Sequence, residues 1–135
     1  YDSRLVIDHD SMRGSFIHGR RELYNMVLYA LIDNAGKYQY FEAGDIKIWA
    51  ATKPSSEVLE LYVENQGLEI LKEEEQSIFE NDGRGLMATS SKIDGSGIGL
   101  WLCSEIMKKY GGSIELDNRF EPVRFKLTFK KRGRA

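Results

Sequence analysis

Two stretches of the sequence alternate apolar and polar residues at every second position, and this pattern constrains the fold more than any other feature. In segment 57–65, Leu59, Leu61 and Val63 lie on one side and polar or aromatic residues on the other. Segment 123–130 repeats the alternation. Strands with a single apolar side are typical of a sheet that has one covered and one solvated face. The two segments therefore predict a largely antiparallel sheet.

Helical periodicity covers two longer segments. Apolar residues recur three or four positions apart over 21–38 and over 98–110, and the pair Gly111-Gly112 is expected to end the second helix. A short acidic helix is predicted over 71–79, and the polar stretch 80–94 is predicted to be a mobile loop. Weaker strand patterns stand at 5–7, 46–50 and 114–116.

These elements predict an α+β fold. The expected architecture is a two-layer α/β sandwich in which a mixed, mostly antiparallel sheet is covered on one face by about three helices. A chain of 135 residues is large enough for one core and too short for two. We therefore expect one domain, 1–135, excised from a longer protein.

The composition excludes several functions. Nineteen Lys+Arg against 21 Asp+Glu give a net charge of −2, which does not predict a nucleic-acid surface. The lone Cys103 cannot form an internal disulfide, and neither a signal peptide nor a membrane-spanning apolar run is present. We expect a soluble, cytoplasmic domain without direct membrane contact, and a membrane anchor elsewhere in the parent protein is compatible with this.

Two asparagines continue apolar rows into positions where core residues are expected. The stripe of the first helix runs on to Asn34, and the inward row of segment 57–65 ends at Asn65. A buried amide needs hydrogen-bond partners. A hydrated metal ion suits Asn34, and the exocyclic amine of adenine suits Asn65, where Gly67 lets a flat ring approach the backbone. The alternatives are a local cap at Asn34 and a turn residue at Asn65.

Alternating glycines lead into the second helix in the segment Gly95-Ser96-Gly97-Ile98-Gly99-Leu100. Bare backbone N–H groups at a helix N-terminus attract phosphate. The segment does not follow an apolar strand, unlike a Rossmann fingerprint, and the absence of a following Gly-Lys-Ser/Thr excludes a P-loop. A flexible hinge is the alternative. With the two asparagines, the loop predicts a purine-nucleotide pocket.

Four segments, taken in order, resemble the N, G1, F and G2 boxes of sensor histidine kinases. They read ALIDNAGKY (30–38), VENQGLEI (63–70), IFE (78–80) and GSGIGL (95–100). The similarity runs from about residue 5 to residue 130. It implies the Bergerat ATP-binding sandwich, which that family shares with gyrase and heat-shock chaperones.

The resemblance also implies roles for individual residues. Asn34 would be the Mg²⁺ ligand and would act in catalysis with Lys37, a phosphate contact. Tyr38 would form a wall of the nucleotide site, and Asn65 would read adenine. The other implied cofactor-binding residues are Gly67, Ile70, Lys92 of the ATP lid (81–94), Gly95, Gly97, Gly99 and Leu100.

Four positions depart from the family pattern. The usual G1 aspartate is Asn65, which keeps an acceptor for the adenine amine but lacks the charge, so that weakened or altered binding is expected. The second G1 glycine is Glu69, and the glycine usual before the last strand is missing around 121–123. Ala30 stands where relatives that hydrolyse ATP have a glutamate base, and its absence favours phosphotransfer over hydrolysis.

The function implied by the resemblance is that of a protein-histidine kinase catalytic domain in two-component signalling. It would bind Mg²⁺-ATP and donate the γ-phosphate to a histidine on a separate helical dimerisation and phosphoacceptor domain of the same parent, and so serve a response regulator indirectly. Neither His9 nor His18 lies in an acceptor-like context, so the chain alone is expected to be inactive. The alternative is a non-catalytic nucleotide-sensing or docking module, which Asn65 and Glu69 favour.

Overall fold

The fold is built on a five-stranded sheet, seen in a computed structural model that describes residues 5–37, 44–80 and 99–132. The order across the sheet is β1-β2-β3-β5-β4. β1 runs parallel to β2, and every other neighbouring pair is antiparallel. The strands are β1 (Leu5–Ile7), β2 (Ile46–Ala51), β3 (Val58–Asn65), β4 (Ser113–Arg119) and β5 (Val123–Lys130). The predicted mixed, mostly antiparallel sheet is thus confirmed.

Two α-helices of the described residues cover one face of the sheet and pack against each other. They are α1 (Arg21–Lys37) and α2 (Leu100–Lys109). The glycine pair ends α2 as predicted: Gly111, at φ +79°, donates its N–H to the Lys108 carbonyl at 3.0 Å, and Gly112 donates to the Met107 carbonyl at 2.8 Å. Neither described helix has an apolar stretch of the length that a bilayer crossing requires.

The core lies between the helices and the inner face of the sheet. Burial alternates residue by residue along β3 and β5, as the period of two predicts. Val27 of α1, Cys103 of α2 and Leu127 of β5 are completely buried in this layer. The helices and the sheet thus share one hydrophobic core, and the predicted two-layer sandwich is confirmed.

The predicted acidic helix over 71–79 is wrong. That segment forms two 3₁₀ turns, Lys72–Glu74 and Ser77–Phe79, rather than one α-helix. The separate anchors explain the break: Glu75 pairs with Arg119 of β4 at 3.2 Å, while the Phe79 ring packs edge-on against Phe125 at 6.2 Å. The predicted loop 80–94 lies outside the described residues from position 81 onward, and so do the predicted helix ends at residues 38 and 98.

The segment before α1 is tied to the end of β5. The His18 N–H donates to the Lys130 carbonyl at 2.8 Å, and Ile17 forms an isolated antiparallel bridge with Lys131. The Tyr24 hydroxyl of α1 donates to the carbonyl of His18. These contacts fix the first turns of α1 and thereby the direction in which the helix runs towards Asn34.

The outer face of the sheet carries rows of paired charges. Arg124 of β5 lies between Asp117 of β4 at 2.6 Å and Glu64 of β3 at 3.0 Å. The hydrogen bond to Asp117 is the largest cause that raises the pKa of the Arg124 guanidinium. In a second row, Lys126 lies 3.6 Å from Glu60. The pairs contribute modestly to stability because they are partly solvated, but they fix which side chains meet across the strands.

Both edges of the sheet carry a local irregularity. Along β2, the strand partner β1 ends at Ile7, and the Ala50 N–H donates instead to the Ser11 hydroxyl at 2.8 Å. In β4, the register with β5 shifts between Leu116 and Asn118. Neither edge therefore presents a long, straight row of backbone groups.

Candidate functional site

Asn34 lies on the last turns of α1, where the apolar stripe of the helix reaches the edge of the core. The residue is half-buried, while its neighbours Leu31 and Ala35 are buried at 2% and 5% exposure. The sequence prediction that an amide ends this stripe is therefore met in position. Because the side chain is not enclosed, it keeps access to a ligand from outside.

Asn65 is the last residue of β3 and is buried at 6% exposure. Its side-chain Nδ2 donates to the backbone carbonyl of Ala35 at 3.4 Å. This hydrogen bond joins the end of the strand to the end of α1, so that Asn65 and the residue after Asn34 are in contact. The two asparagines singled out from the sequence are thus brought to one end of the sandwich.

A polar cavity borders Asn65 at this end of the sheet. Its lining combines acidic, basic and amide side chains from the start of β2 and the end of β3. The residues are Gly44, Asp45, Lys47, Glu64, Asn65 and Gln66. The sequence analysis did not single out Asp45 or Gln66. Asp45 stands outside the four boxes, and Gln66, although it lies within segment 63–70, does not continue the apolar row of β3.

Gly99 is the N-cap of α2, with extended backbone at φ −82° and ψ 164°. Its carbonyl accepts the first helical hydrogen bond, from the N–H of Cys103 at 3.2 Å, and it has no side chain with which to cap the first turn. Leu100 follows half-buried and packs against the core. The first N–H groups of α2 are therefore free of side-chain capping by Gly99 and give that end a partial positive charge.

The segment after β3 connects the site to the far side of the sheet. Gly67 is buried, and the Ile70 N–H donates to the Arg119 carbonyl of β4 at 3.0 Å. The Glu69 side chain is 45% exposed and lies 3.9 Å from the Arg119 guanidinium. A side chain is thus accommodated at the second G1 glycine position, because it points towards solvent and a cation.

The structure shows the surroundings of two other departures from the family pattern. Glu121 has φ 50°, the one positive φ among the described non-glycine residues, so the turn before β5 has the backbone that favours glycine. Ala30 is buried at 4% on α1 and packs in the core. The missing glycine therefore affects a turn, and the missing glutamate leaves an apolar contact.

Several predicted site residues lie outside the residues that the structure describes. Tyr38, Lys92, Gly95 and Gly97 fall in the segments that the structure leaves undescribed. Lys37 is the final residue of α1. Their roles remain predictions from the resemblance.

Other reactive groups do not contribute chemistry to this end of the molecule. His9 and His18 are exposed, and burial raises the pKa of the Cys103 thiol to about 11. Within residues 5–37, 44–80 and 99–132 no group of three His, Cys, Asp or Glu residues could hold a metal ion. The half-buried side chain of Asn34 carries an amide oxygen, a hard oxygen ligand of the kind that fits Mg²⁺.

The described structure is a sheet covered on one face by helices, with one asparagine near the end of α1 and another at the end of β3. The family model described as "Histidine kinase-, DNA gyrase B-, and HSP90-like ATPase" matches residues 19–133. The chain belongs to this family.

The relatives of the chain are sensor histidine kinases. The signal transduction histidine-protein kinase ArlS of Staphylococcus haemolyticus is 29% identical over 123 residues, which cover 90% of this chain and 26% of that protein. The sensor histidine kinase AruS of Pseudomonas aeruginosa is 31% identical over 114 residues, covering 82% and 11% respectively. The chain thus spans about a quarter or less of these relatives' lengths.

A solved structure shows the same fold. The nucleotide-free catalytic domain of histidine kinase ThkA superposes with a TM-score of 0.72 at 25% identity, covering 96% of this chain and 78% of that one. The similarity confirms the predicted α+β sandwich.

Proposed function

We propose that residues 1–135 form one catalytic domain that holds Mg²⁺-ATP and presents the γ-phosphate to a histidine of a separate helical domain in the same parent protein. A response regulator would receive the phosphoryl group afterwards. The observation that supports the proposal is the hydrogen bond from the Asn65 side chain to the Ala35 carbonyl, which joins the Asn65 amide to the helix end that bears Asn34.

In this proposal, each residue of the site binds a different part of the nucleotide. Asn65 presents an amide to the base at the end of β3, where Gly67 adds no side chain between the backbone and a flat ring. Asn34 offers an oxygen to the cation, and Lys37 supplies a positive charge for the phosphates. The N-terminus of α2, beginning at Gly99, attracts the same phosphates through its N–H groups.

Catalysis in this arrangement rests on positioning and charge. When bound, Mg²⁺ would neutralise negative charge on the phosphates. In this proposal the domain holds the nucleotide and leaves access for the acceptor. The acceptor imidazole comes from the partner domain. Ala30, buried in the core, cannot orient a water for hydrolysis, so a bound γ-phosphate waits for that imidazole.

The role of Asn34 is tested by Asn34→Ala. We expect the Mg²⁺-dependent part of ATP affinity to be lost, about 1–3 kcal/mol, the range for removing one partner of a polar contact. Calorimetric titration of ATP with and without Mg²⁺ measures it. Asn25→Ala is the matched control, because Asn25 is an exposed amide on the same helix. Identical Mg²⁺-ATP curves for wild type and Asn34→Ala would remove Asn34 from the site.

Phosphotransfer itself is tested with γ-labelled ATP. The chain alone should bind ATP without labelling itself, and addition of the parent's helical domain should yield acid-labile phosphohistidine on that domain. Label on the isolated chain would place an acceptor at His9 or His18 and contradict the division of roles. Binding without any label in the full parent would make the domain a nucleotide-sensing module.

A further inference from the structure

Asn65 offers chemistry that an aspartate in its place would lack. A carboxylate only accepts hydrogen bonds, whereas an amide accepts through its oxygen and donates through two N–H groups. At the base-reading position of the proposed nucleotide site, the side chain can therefore meet a ligand group of either kind.

In the described structure, few of the hydrogen-bonding groups of the Asn65 amide are engaged. Within residues 5–37, 44–80 and 99–132, the hydrogen bond found for the Asn65 side chain is the one from Nδ2 to the Ala35 carbonyl, at 3.4 Å. This distance is beyond the usual 2.7–3.2 Å range, so the contact holds the amide only weakly. A rotation of the amide, or its second N–H, can then serve a ligand at small cost.

The Asn65 amide lies on the inner side of the sheet, away from the charged side chains of the outer face. Glu64, the preceding residue of β3, belongs to the outer face, where its carboxylate pairs with Arg124 at 3.0 Å. Lys47, the strand partner of Glu64, is exposed on that same face. These outer-face charges therefore do not favour a donating ligand group over an accepting one at the Asn65 amide.

We propose that Asn65 makes the base pocket tolerant at position 6 of a purine, so that the site binds 6-oxo as well as 6-amino purine nucleoside triphosphates. This inference rests on the proposed nucleotide function. The Asn65 oxygen accepts from the 6-amino group of adenine. Its NH₂ group donates to the 6-oxo group of hypoxanthine or guanine.

The test compares ATP with inosine triphosphate, whose base has the 6-oxo group without the additional 2-amino group of guanine. Calorimetric titration of the 135-residue chain in Mg²⁺ should give affinities within about tenfold of each other. Asn65→Asp should then weaken inosine triphosphate relative to ATP by about 10- to 100-fold, because a carboxylate cannot donate to the 6-oxo group and repels it. Asn25→Asp, the same charge change on an exposed helix position, should leave the ratio unchanged.

Several outcomes overturn the inference. The inference is wrong if the wild-type protein binds inosine triphosphate more than a hundredfold more weakly than ATP. It is also wrong if Asn65→Asp leaves the ratio of the two affinities unaltered. If circular dichroism shows that Asn65→Asp does not fold, Asn65→Ala decides: loss of both amide functions should weaken the two nucleotides by the same factor, and weakening of ATP alone refutes the idea. Failure of the chain to bind any nucleotide instead refutes the proposed function.

Discussion

Gly112 lies where the end of α2 meets the sheet, and the substitution Gly112→Ala tests how rigid that junction is. A methyl group at this position would collide with the backbone carbonyl oxygen of Thr128 and would lie 3.3 Å from the Met107 methyl. Thr128 is paired with Ser113 across β4 and β5, so its carbonyl cannot move without disturbing the ladder.

The expected cost is at the upper end of the range for overpacking, about 3 kcal/mol, because the obstacle is backbone rather than a side chain. For a domain of this size the loss corresponds to a melting temperature lower by about 10 °C. Urea denaturation followed by circular dichroism, without nucleotide, measures the change.

Gly36→Ala is the matched control. An added methyl at Gly36 has no atom within 4 Å, and alanine is the better helix former by up to about 1 kcal/mol. The variant should therefore equal or exceed the wild type in stability. If Gly112→Ala unfolds at the wild-type urea concentration, or if both alanine variants lose the same free energy, the reasoning from the Thr128 contact is refuted.

Two further predictions concern buried polar groups. The Tyr110 hydroxyl is buried without a hydrogen-bond partner in the described structure, whereas the Tyr24 hydroxyl donates to the His18 carbonyl. Tyr110→Phe should therefore leave the free energy of unfolding equal or higher. Tyr24→Phe should lower it by about 1 kcal/mol in urea titrations. Equal effects of the two substitutions would contradict this assignment. Burial raises the pKa of the Cys103 thiol from 9.0 to about 11, so the folded state holds the proton more tightly than the unfolded state. The contribution of this group to the free energy of unfolding is therefore complete below pH 9. It is lost between pH 9 and 11, about 3 kcal/mol in total. Cys103→Ala should flatten that part of the stability profile, and an unchanged slope would show that the thiol does not titrate there.

The strands and helices were predictable wherever burial is one-sided. β3 and β5 could be located because their inner residues pack on helices while their outer residues meet solvent, which leaves a period of two in the sequence. The turns at Lys72–Glu74 and Ser77–Phe79 could not, because their breaks depend on tertiary contacts made by Arg119 and Phe125. Local pattern contains no information about such distant anchors.

The positions of the two asparagines at the ends of their elements were predictable, whereas the contact that joins those elements was not. Asn34 and Asn65 stood out because each extends an apolar row with an amide. Their connection through the Ala35 carbonyl joins residues 30 positions apart, and only the folded chain reveals it. The left-handed backbone of Glu121 is likewise invisible in the sequence, because glutamate gives no signal for that conformation.

The irregularities at the two sheet edges have a consequence for aggregation. An exposed, straight edge offers unpaired N–H and C=O groups on which a foreign strand can grow. Here the Ser11 hydroxyl occupies the Ala50 N–H on one side, and the register shift between Leu116 and Asn118 bends the other. Two small local irregularities therefore protect the described sheet against edge-to-edge growth, while one of its faces stays open to solvent.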